Sequence, residues 1–202
     1  NNYHKNIQYE LLVKNNIPVI KTYFTKDLDE ASDLISKEKE PVVIKPIVSG
    51  SGHNTYVIGK TSKNSIKVND IKSKFKDIDS GVMIQPYVKE VENGELSLIF
   101  INNKFLYGIK RYTNIFNDKF EINYIDKTKV DSKLIDMGFS ILKIREYENS
   151  AYARIDLIKT DSTYKIMEVE LVEPQLFLTY IPNCKYQNYC INELIKSIID
   201  KI

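Results

Sequence analysis

The sequence is short of the residues that mark several large classes of protein. Its 202 residues include only 2 Cys, 7 Gly and 6 Pro, and no Trp. The two cysteines, Cys184 and Cys190, provide neither a disulfide framework nor a zinc site, so we expect a reducing, cytoplasmic compartment. Since glycine is this scarce, any close pair of glycines deserves inspection as a functional loop.

Charge and hydropathy exclude further classes of function. The 29 basic and 27 acidic residues leave a net charge of +2, which provides no basic surface for nucleic acid. No apolar run approaches the roughly 20 residues that span a bilayer, so no membrane partner is expected either. The hydrophobic share of 43% and the charged share of 28% are ordinary for a globular protein with a buried core.

Helix and strand patterns occur along the chain without strict β-α-β alternation, which disfavours a doubly wound fold and favours an α+β fold. Helices are predicted at residues 4–14, after Thr25 as N-cap, and at residues 132–144. A closing helix carries an apolar stripe of Ile191, Leu194, Ile195, Ile198 and Ile202. The predicted division is a linking helix at 1–16, a small lobe at 17–80 and a large lobe at 81–202.

Gly50, Ser51 and Gly52 form a loop between two predicted strands, residues 42–45 and 55–58. The loop lacks the third glycine and following helix of a dinucleotide site, and also the Lys-Ser/Thr ending of a Walker loop. Two interpretations stay open. It is an ordinary Gly/Ser hairpin loop, or its backbone N–H groups close over phosphates.

Lys45 favours the phosphate interpretation. It ends the apolar strand directly before this glycine loop, and a buried ammonium group requires an anion. The alternative is a lysine that reaches solvent or pairs with a carboxylate.

The most specific signal is a hairpin of two alternating strands around Ser162. A three-residue turn makes Asp156 face Glu168 and makes Arg154 face Glu170, with all four side chains on one face of the sheet.

Two carboxylates about 5 Å apart at Cβ destabilise a sheet unless a proton or a cation offsets their repulsion. Glu170 adds a third oxygen donor to Asp156 and Glu168, and Mg²⁺ prefers such carboxylate oxygens together with substrate phosphates. The alternative is a solvated face on which Arg154 and Lys165 reduce the repulsion. Because a lysine and a glycine loop lie upstream, the magnesium–nucleotide interpretation is favoured.

Three weaker signals complete the set. Residues 85–88 end an apolar strand and lead toward Glu95, which suits an adenine edge and ribose hydroxyls, although an ordinary loop is the alternative. Lys110 and Arg111 end a strand together and could neutralise a phosphate, or form a surface pair. His53 is more typical of an exposed loop histidine than of a catalytic base.

In this order, these residues resemble the ATP-grasp superfamily over nearly the whole chain. The hairpin is the most specific part, and residues 152–157, 167–176 and 85–98 are similar to the glutathione-synthetase-like group that contains the O-ureido-serine cyclo-ligase of cycloserine biosynthesis. The resemblance implies two α+β lobes whose antiparallel sheets grip the nucleotide, with Asp156, Glu168 and Glu170 as magnesium ligands. It implies that ATP is held by Lys5, Lys45, Ser49, Gly50, Ser51, Gly52, His53, Gln85, Pro86, Tyr87, Val88 and Glu95.

Two departures from the superfamily matter. Relatives usually carry an N-terminal pre-ATP-grasp domain, and this chain opens on Asn1-Asn2 where that domain would end. We therefore expect a fragment or processed product whose partners include the missing domain of the same protein. Relatives also tend to have Arg within the stretch 118–123 to hold the transferred phosphate or the acid substrate, whereas this chain has Glu121.

The expected function is an ATP-dependent ligase that joins a small-molecule carboxylate to an amine, or to a hydroxylamine-type group, through an acyl phosphate. Magnesium, Lys45, Arg154, Lys110 and Arg111 would neutralise the transferring phosphoryl group. A homodimer is a further expected assembly. Two alternatives stay open: a nucleotide-binding module without ligase activity, to which Glu121 points, and a structural α+β protein whose carboxylates are solvated.

Overall fold

The computed structural model describes residues 4–50, 52–113, 120–161 and 163–201. Within these ranges, nine strands form two antiparallel sheets, and five α-helices accompany them. The helices are α1 (Lys5–Lys14), α2 (Leu28–Ser36), α3 (Ile71–Phe75), α4 (Ser132–Leu142) and α5 (Cys184–Ile199). The strands are β1 (Tyr23–Thr25), β2 (Val42–Pro46), β3 (Tyr56–Ile58), β4 (Val82–Pro86), β5 (Glu95–Ile101), β6 (Lys104–Thr113), β7 (Phe120–Asp126), β8 (Tyr152–Thr160) and β9 (Thr163–Glu170). The predicted α+β class with two antiparallel sheets is confirmed.

The small sheet has the strand order β1-β4-β2-β3. Helices α2 and α3 cover one face, where Ala31 and Phe75 pack with Val42 and Ile44 of β2. Because side chains alternate along a strand, Lys45 lies on the uncovered face. The small sheet therefore presents Lys45 toward the large sheet.

The sequence prediction of the small lobe needs two corrections. The N-cap of α2 is Asp27, whose carboxylate accepts hydrogen bonds from the N–H groups of Asp29 and Glu30. Thr25 lies in β1 instead, where it is the last residue of the strand. Strand β4 was placed in the large lobe, but it pairs with both β1 and β2, so this sheet extends to Pro86.

The large sheet has the strand order β7-β6-β5-β8-β9. One face packs against α1 and α4 through a core that includes Leu12, Leu98 and Ile155. The opposite face is covered near α5, where Ile99 and Cys190 are buried. The rest of this second face carries charged side chains, which form the candidate site.

The apolar stripe predicted on the closing helix is only partly buried. Cys190 and Ser197 face the protein, whereas Ile195, Ile198 and Ile199 are exposed. Ser197 donates a hydrogen bond to the carbonyl of Ala151, which fixes the rotation of α5. None of the described helices combines the length and apolar character needed to cross a membrane.

Candidate nucleotide and metal site

The hairpin of β8 and β9 brings the predicted carboxylates together. Asp156 pairs with Glu168 in the register of the two strands, and Arg154 pairs with Glu170, as predicted. The turn, however, has two residues rather than three, and a β-bulge leaves Met167 without an opposite residue. These two departures cancel, so the residues beyond the bulge face one another as expected.

The three carboxylates are close enough to share one cation. One oxygen each of Asp156, Glu168 and Glu170 lies within 4.8 Å of the others. Asp156 is almost fully buried, whereas the side chains of Glu168 and Glu170 keep about a quarter of their surface exposed. Because all three donors are hard carboxylate oxygens and two of them, on Glu168 and Glu170, belong to partly exposed side chains, the residues fit Mg²⁺, which takes its remaining ligands from water and phosphate.

Two arginines hold Asp156 from opposite sides. Arg154 donates through Nε and Nη2 to both carboxylate oxygens at 3.0 to 3.2 Å, and Arg111 Nη2 lies 2.8 Å from Oδ2. Arg111 also pairs with Glu95 at 3.0 Å, and Arg154 pairs with Glu170 at 2.8 Å. The result is a buried network in which each guanidinium bridges two carboxylates.

Burial and the arginines act in opposite directions on the protonation of this network. Burial by itself would raise the pKa of Asp156, but Arg111 and Arg154 hold it below its usual value. Burial raises the pKa of Glu170 to about 7, because Arg154 offsets that effect only in part. Burial likewise raises the pKa of Glu95 despite its pairing with Arg111. In the metal-free protein, Glu170 therefore accepts a proton near neutral pH more readily than Asp156 does.

Two residues that sequence reasoning did not place in the site support this network. The fully buried Ser97 donates to Asp156 Oδ1 at 2.6 Å and accepts from Arg111 Nε at 3.0 Å. The centre of the Phe177 ring lies 5.8 Å from the guanidinium carbon of Arg111 and also of Arg154. The backbone of Phe177 is left-handed, with a φ of 57°. Ser97 could have been recognised from the sequence as a polar residue within the apolar strand 95–101. No comparable sequence signal identifies Phe177.

The predicted pair of Lys110 and Arg111 is divided between the two faces of the sheet. Arg111 pairs in register with Glu95, but Lys110 pairs with Leu96, which packs into the core with α4. Lys110 Nζ lies 5.1 Å from the centre of the Tyr112 ring. Adjacent strand residues point to opposite faces, so the assignment of Lys110 to the phosphate site is wrong.

The unusual Glu121 also lies away from the carboxylates. Glu121 pairs in register with Tyr112, which lies on the same face of the sheet as Lys110. Its side chain accepts a hydrogen bond from Asn123 Nδ2 at 3.0 Å. Arg111 and Arg154 already bring two guanidinium groups to the opposite face. The side chain of Glu121 therefore adds no negative charge to the described carboxylate cluster.

The two predicted phosphate lysines reach the site from different elements. Lys5 of α1 binds Glu168 at 3.0 Å and the carbonyl of Ser49 at 2.6 Å, and thereby joins the carboxylates to the glycine loop, residues 49–54. Among the described residues, Lys45 makes no ion pair, although Glu168 is its strongest neighbouring charge. Burial lowers the pKa of Lys45, and nearby Glu168 only partly offsets this. An anion beside Lys45 would complete its surroundings.

Among the described residues of the glycine loop, Gly50, Gly52 and His53 are exposed, whereas Ser49 and Asn54 are half-buried. Gly52 has a φ of 70°, whereas Gly50 has no positive φ, so only one of the two glycines requires its conformational freedom. His53 is exposed, as expected of a loop histidine. Ser51 lies outside the described residues.

The segment 85–88 ends β4 and leads toward the large sheet, and its two polar side chains are hydrogen-bonded to other residues. Gln85 Nε2 donates to the hydroxyl of Thr22 at 2.8 Å, and Tyr87 donates through its hydroxyl to Glu92. Pro86 is exposed and Val88 half-buried. Hydrogen bonds from residues 86 and 88 to adenine would therefore involve backbone groups, since neither side chain is polar.

Comparison with known proteins identifies the family. The model of the RimK-like ATP-grasp domain matches residues 3–179, so the chain belongs to that family. No curated protein sequence matches the chain significantly. ATP-grasp ligases use ATP and Mg²⁺, which agrees with the predicted cofactors and with the carboxylate cluster.

Solved structures share the fold at low sequence identity. D-cycloserine synthetase DcsG is 18% identical with a TM-score of 0.71, and the match covers 96% of this chain and 70% of that one. The D-alanine–D-alanine ligase of Bacillus anthracis in complex with ATP is 18% identical with a TM-score of 0.68, covering 99% and 65%. The ATP-grasp ligase PsnB with its minimal precursor is 15% identical with a TM-score of 0.66, covering 98% and 60%. The chain thus spans about 60 to 70% of the length of these relatives.

Proposed function

We propose that this protein is an ATP-dependent ligase that joins a carboxylate to an amine. The observation that carries the proposal is the cluster of Asp156, Glu168 and Glu170 near Lys45, which makes no ion pair within the described part of the chain. A hard cation and a phosphate chain would satisfy both sides at once.

The reaction is a pair of displacements. A substrate carboxylate oxygen attacks the γ-phosphorus of ATP, the bond to the leaving ADP oxygen breaks, and an acyl phosphate forms. The amine nitrogen then attacks the acyl carbon, phosphate leaves with the oxygen, and the amine proton passes to solvent. No covalent bond to the protein is required, so positioning and charge neutralisation supply the catalysis.

Each group of residues has a distinct part in this proposal. Asp156, Glu168 and Glu170 would hold Mg²⁺, which when bound neutralises phosphate charge and orients the phosphoryl group. Lys45 binds phosphate from the small sheet. Arg154 lies next to the metal ligands, where its guanidinium can stabilise charge on the transferring group.

The substrates are an acid and an amine, either small molecules or a peptide. DcsG is described as a D-cycloserine synthetase, and PsnB was solved with a precursor peptide. Because the chain spans only part of these relatives, a further domain of the same protein is a proposed partner. A homodimer remains a separate proposal. We propose action in the cytoplasm.

The test is release of ADP and phosphate from Mg-ATP in the presence of pooled acids and amines, with Glu168→Gln as the inactive control. We expect repeated turnover of ATP to ADP that requires both substrates and whose rate falls at least a hundredfold in the variant. ATP binding without ADP release in any pool would overturn the ligase and select a nucleotide-binding module. Absence of magnesium-dependent ATP binding would select a structural protein instead.

A further inference from the structure

Helix α1 covers the outer edge of the strand that carries two of the three carboxylates. Among the described strands, β9 is the last of the large sheet, so its outward backbone groups face no further strand apart from an isolated bridge between Ile166 and Val19. Near its start, the N–H of Ile166 donates to the carbonyl of Pro18 at 2.8 Å. Backbone groups farther along need another partner, because buried peptide groups are rarely left unpaired.

Gln8 provides that partner at Val169. Its Nε2 donates to the Val169 carbonyl at 2.7 Å, and its Oε1 accepts from the Val169 N–H at 2.8 Å. The side chain is 5% exposed, so neither bond competes with bulk water. A primary amide presents one donor and one acceptor side by side, as the backbone of a neighbouring strand would.

The position of this contact relates it to the metal cluster. Val169 lies between Glu168 and Glu170, and its own side chain is buried on the opposite face of the sheet. Lys5, one helical turn before Gln8, binds Glu168 at 3.0 Å. One face of α1 therefore holds both the backbone between the two carboxylates and one of the carboxylates.

We propose that Gln8 is a positioning residue for the magnesium ligands Glu168 and Glu170. This inference rests on the proposed function, since it assumes that these carboxylates bind Mg²⁺. By fixing the peptide groups of Val169, Gln8 sets the distance of both glutamates from Asp156. Metal sites tolerate deviations of only about 0.5 Å in their ligands, so loosening this segment weakens binding without removing a ligand.

The test replaces the amide while keeping the length of the side chain. In Gln8→Met, we expect faster amide hydrogen exchange at Val169 and at least a fivefold rise in the Mg²⁺ concentration that half-saturates stabilisation against thermal unfolding, measured without nucleotide. At saturating Mg²⁺, ATP affinity should return to within twofold of the wild-type value. Gln8→Asn keeps an amide that is one methylene too short, and it replaces the first variant if that one does not fold.

Leu12→Ala is the matched control, because Leu12 is buried on the same helix but has an apolar side chain that cannot hydrogen-bond to the backbone of β9. It should lower stability and leave the Mg²⁺ midpoint unchanged. If Gln8→Met and Leu12→Ala both lose stability with wild-type Mg²⁺ midpoints, Gln8 is merely structural and the proposal is wrong. If the midpoint shifts as expected while the wild type neither binds ATP nor releases ADP, the positioning role stands and the proposed function fails.

Discussion

The two lobes differ in how many hydrogen bonds and ion pairs hold the charged residues that they contribute to the proposed nucleotide site. In the large sheet, Asp156 is 3% exposed and is bound by Arg111, Arg154 and Ser97. In the small lobe, the glycine loop contacts the site through the bond of Lys5 to Ser49, and Lys45 has no counterion among the described residues. The large sheet therefore holds its charged residues in place before any ligand binds. In the small lobe, the phosphates of a bound nucleotide would provide the missing partners of Lys45 and the glycine loop.

The largest expected effect tests this difference in the large sheet by removing the charge of Asp156, which lies at the centre of the arginine–carboxylate network. From sequence, Asp156→Asn would relieve repulsion from Glu168, but in the structure it leaves Arg111 and Arg154 without their shared partner. We expect the free energy of unfolding without metal to fall by about 3 kcal/mol, as for other broken buried ion pairs.

Urea unfolding measures this loss. Asp29→Asn, which removes the exposed partner of Lys72, is the control and should have a much smaller effect. A more stable Asp156→Asn protein would show that repulsion between the carboxylates dominates and that the network does not hold this face together.

The second prediction concerns the small lobe, where removing a charge should change the metal-free stability in the opposite direction. Lys45→Met removes a half-buried ammonium without breaking an ion pair among the described residues, so metal-free stability should rise slightly. ATP affinity should fall at least tenfold, because charge-assisted bonds to phosphate contribute roughly 1.5 to 3 kcal/mol. Adenosine affinity should not change.

Calorimetry with ATP and with adenosine separates the two effects. Equal losses for both ligands would mean that Lys45 shapes the pocket rather than binding phosphate. A loss of stability would show that the ammonium already has a strong partner in the nucleotide-free protein.

The smallest expected effect concerns the two glycines of the loop. Gly52 has a positive φ and Gly50 does not, while a Cβ added at either position would meet no atom within 4 Å from the described residues beyond its chain neighbours. Gly52→Ala should therefore lower the free energy of unfolding by about 1 kcal/mol and slow ATP turnover, whereas Gly50→Ala should be neutral in both.

The matched pair isolates backbone conformation from steric crowding. Unfolding midpoints and ADP release rates of the two variants give the comparison directly. If both substitutions are equally harmless, the positive φ of Gly52 has no functional role in closing over phosphate.

The sequence was sufficient wherever spacing along one hairpin determined the answer. Asp156, Glu168 and Glu170 could be brought together by counting, and the shorter turn was compensated by the bulge at Met167. The prediction for Lys110 is wrong because adjacent residues of a strand point to opposite faces, so Lys110 and Arg111 cannot both reach the site. Only the register of the sheet determines that Arg111 is the residue on the site's face.

Contacts between distant elements could not be predicted in this way. Gln8 fits a helical stripe with Lys5 and Leu12, but its partner Val169 depends on how α1 docks on the large sheet. The left-handed conformation of Phe177 is likewise set by tertiary packing, since nothing in its local sequence requires a positive φ.

The bond between Gln8 and Val169 also bears on how the chain acquires its structure during synthesis. The two residues are 161 positions apart, so α1 emerges about 16 s before its partner at roughly 10 residues per second. A ten-residue helix is marginal in water without tertiary contacts, whereas the small sheet is encoded entirely within the intervening stretch. The small sheet can therefore form first on the ribosome, and α1 completes the metal-binding edge only after β9 has been made.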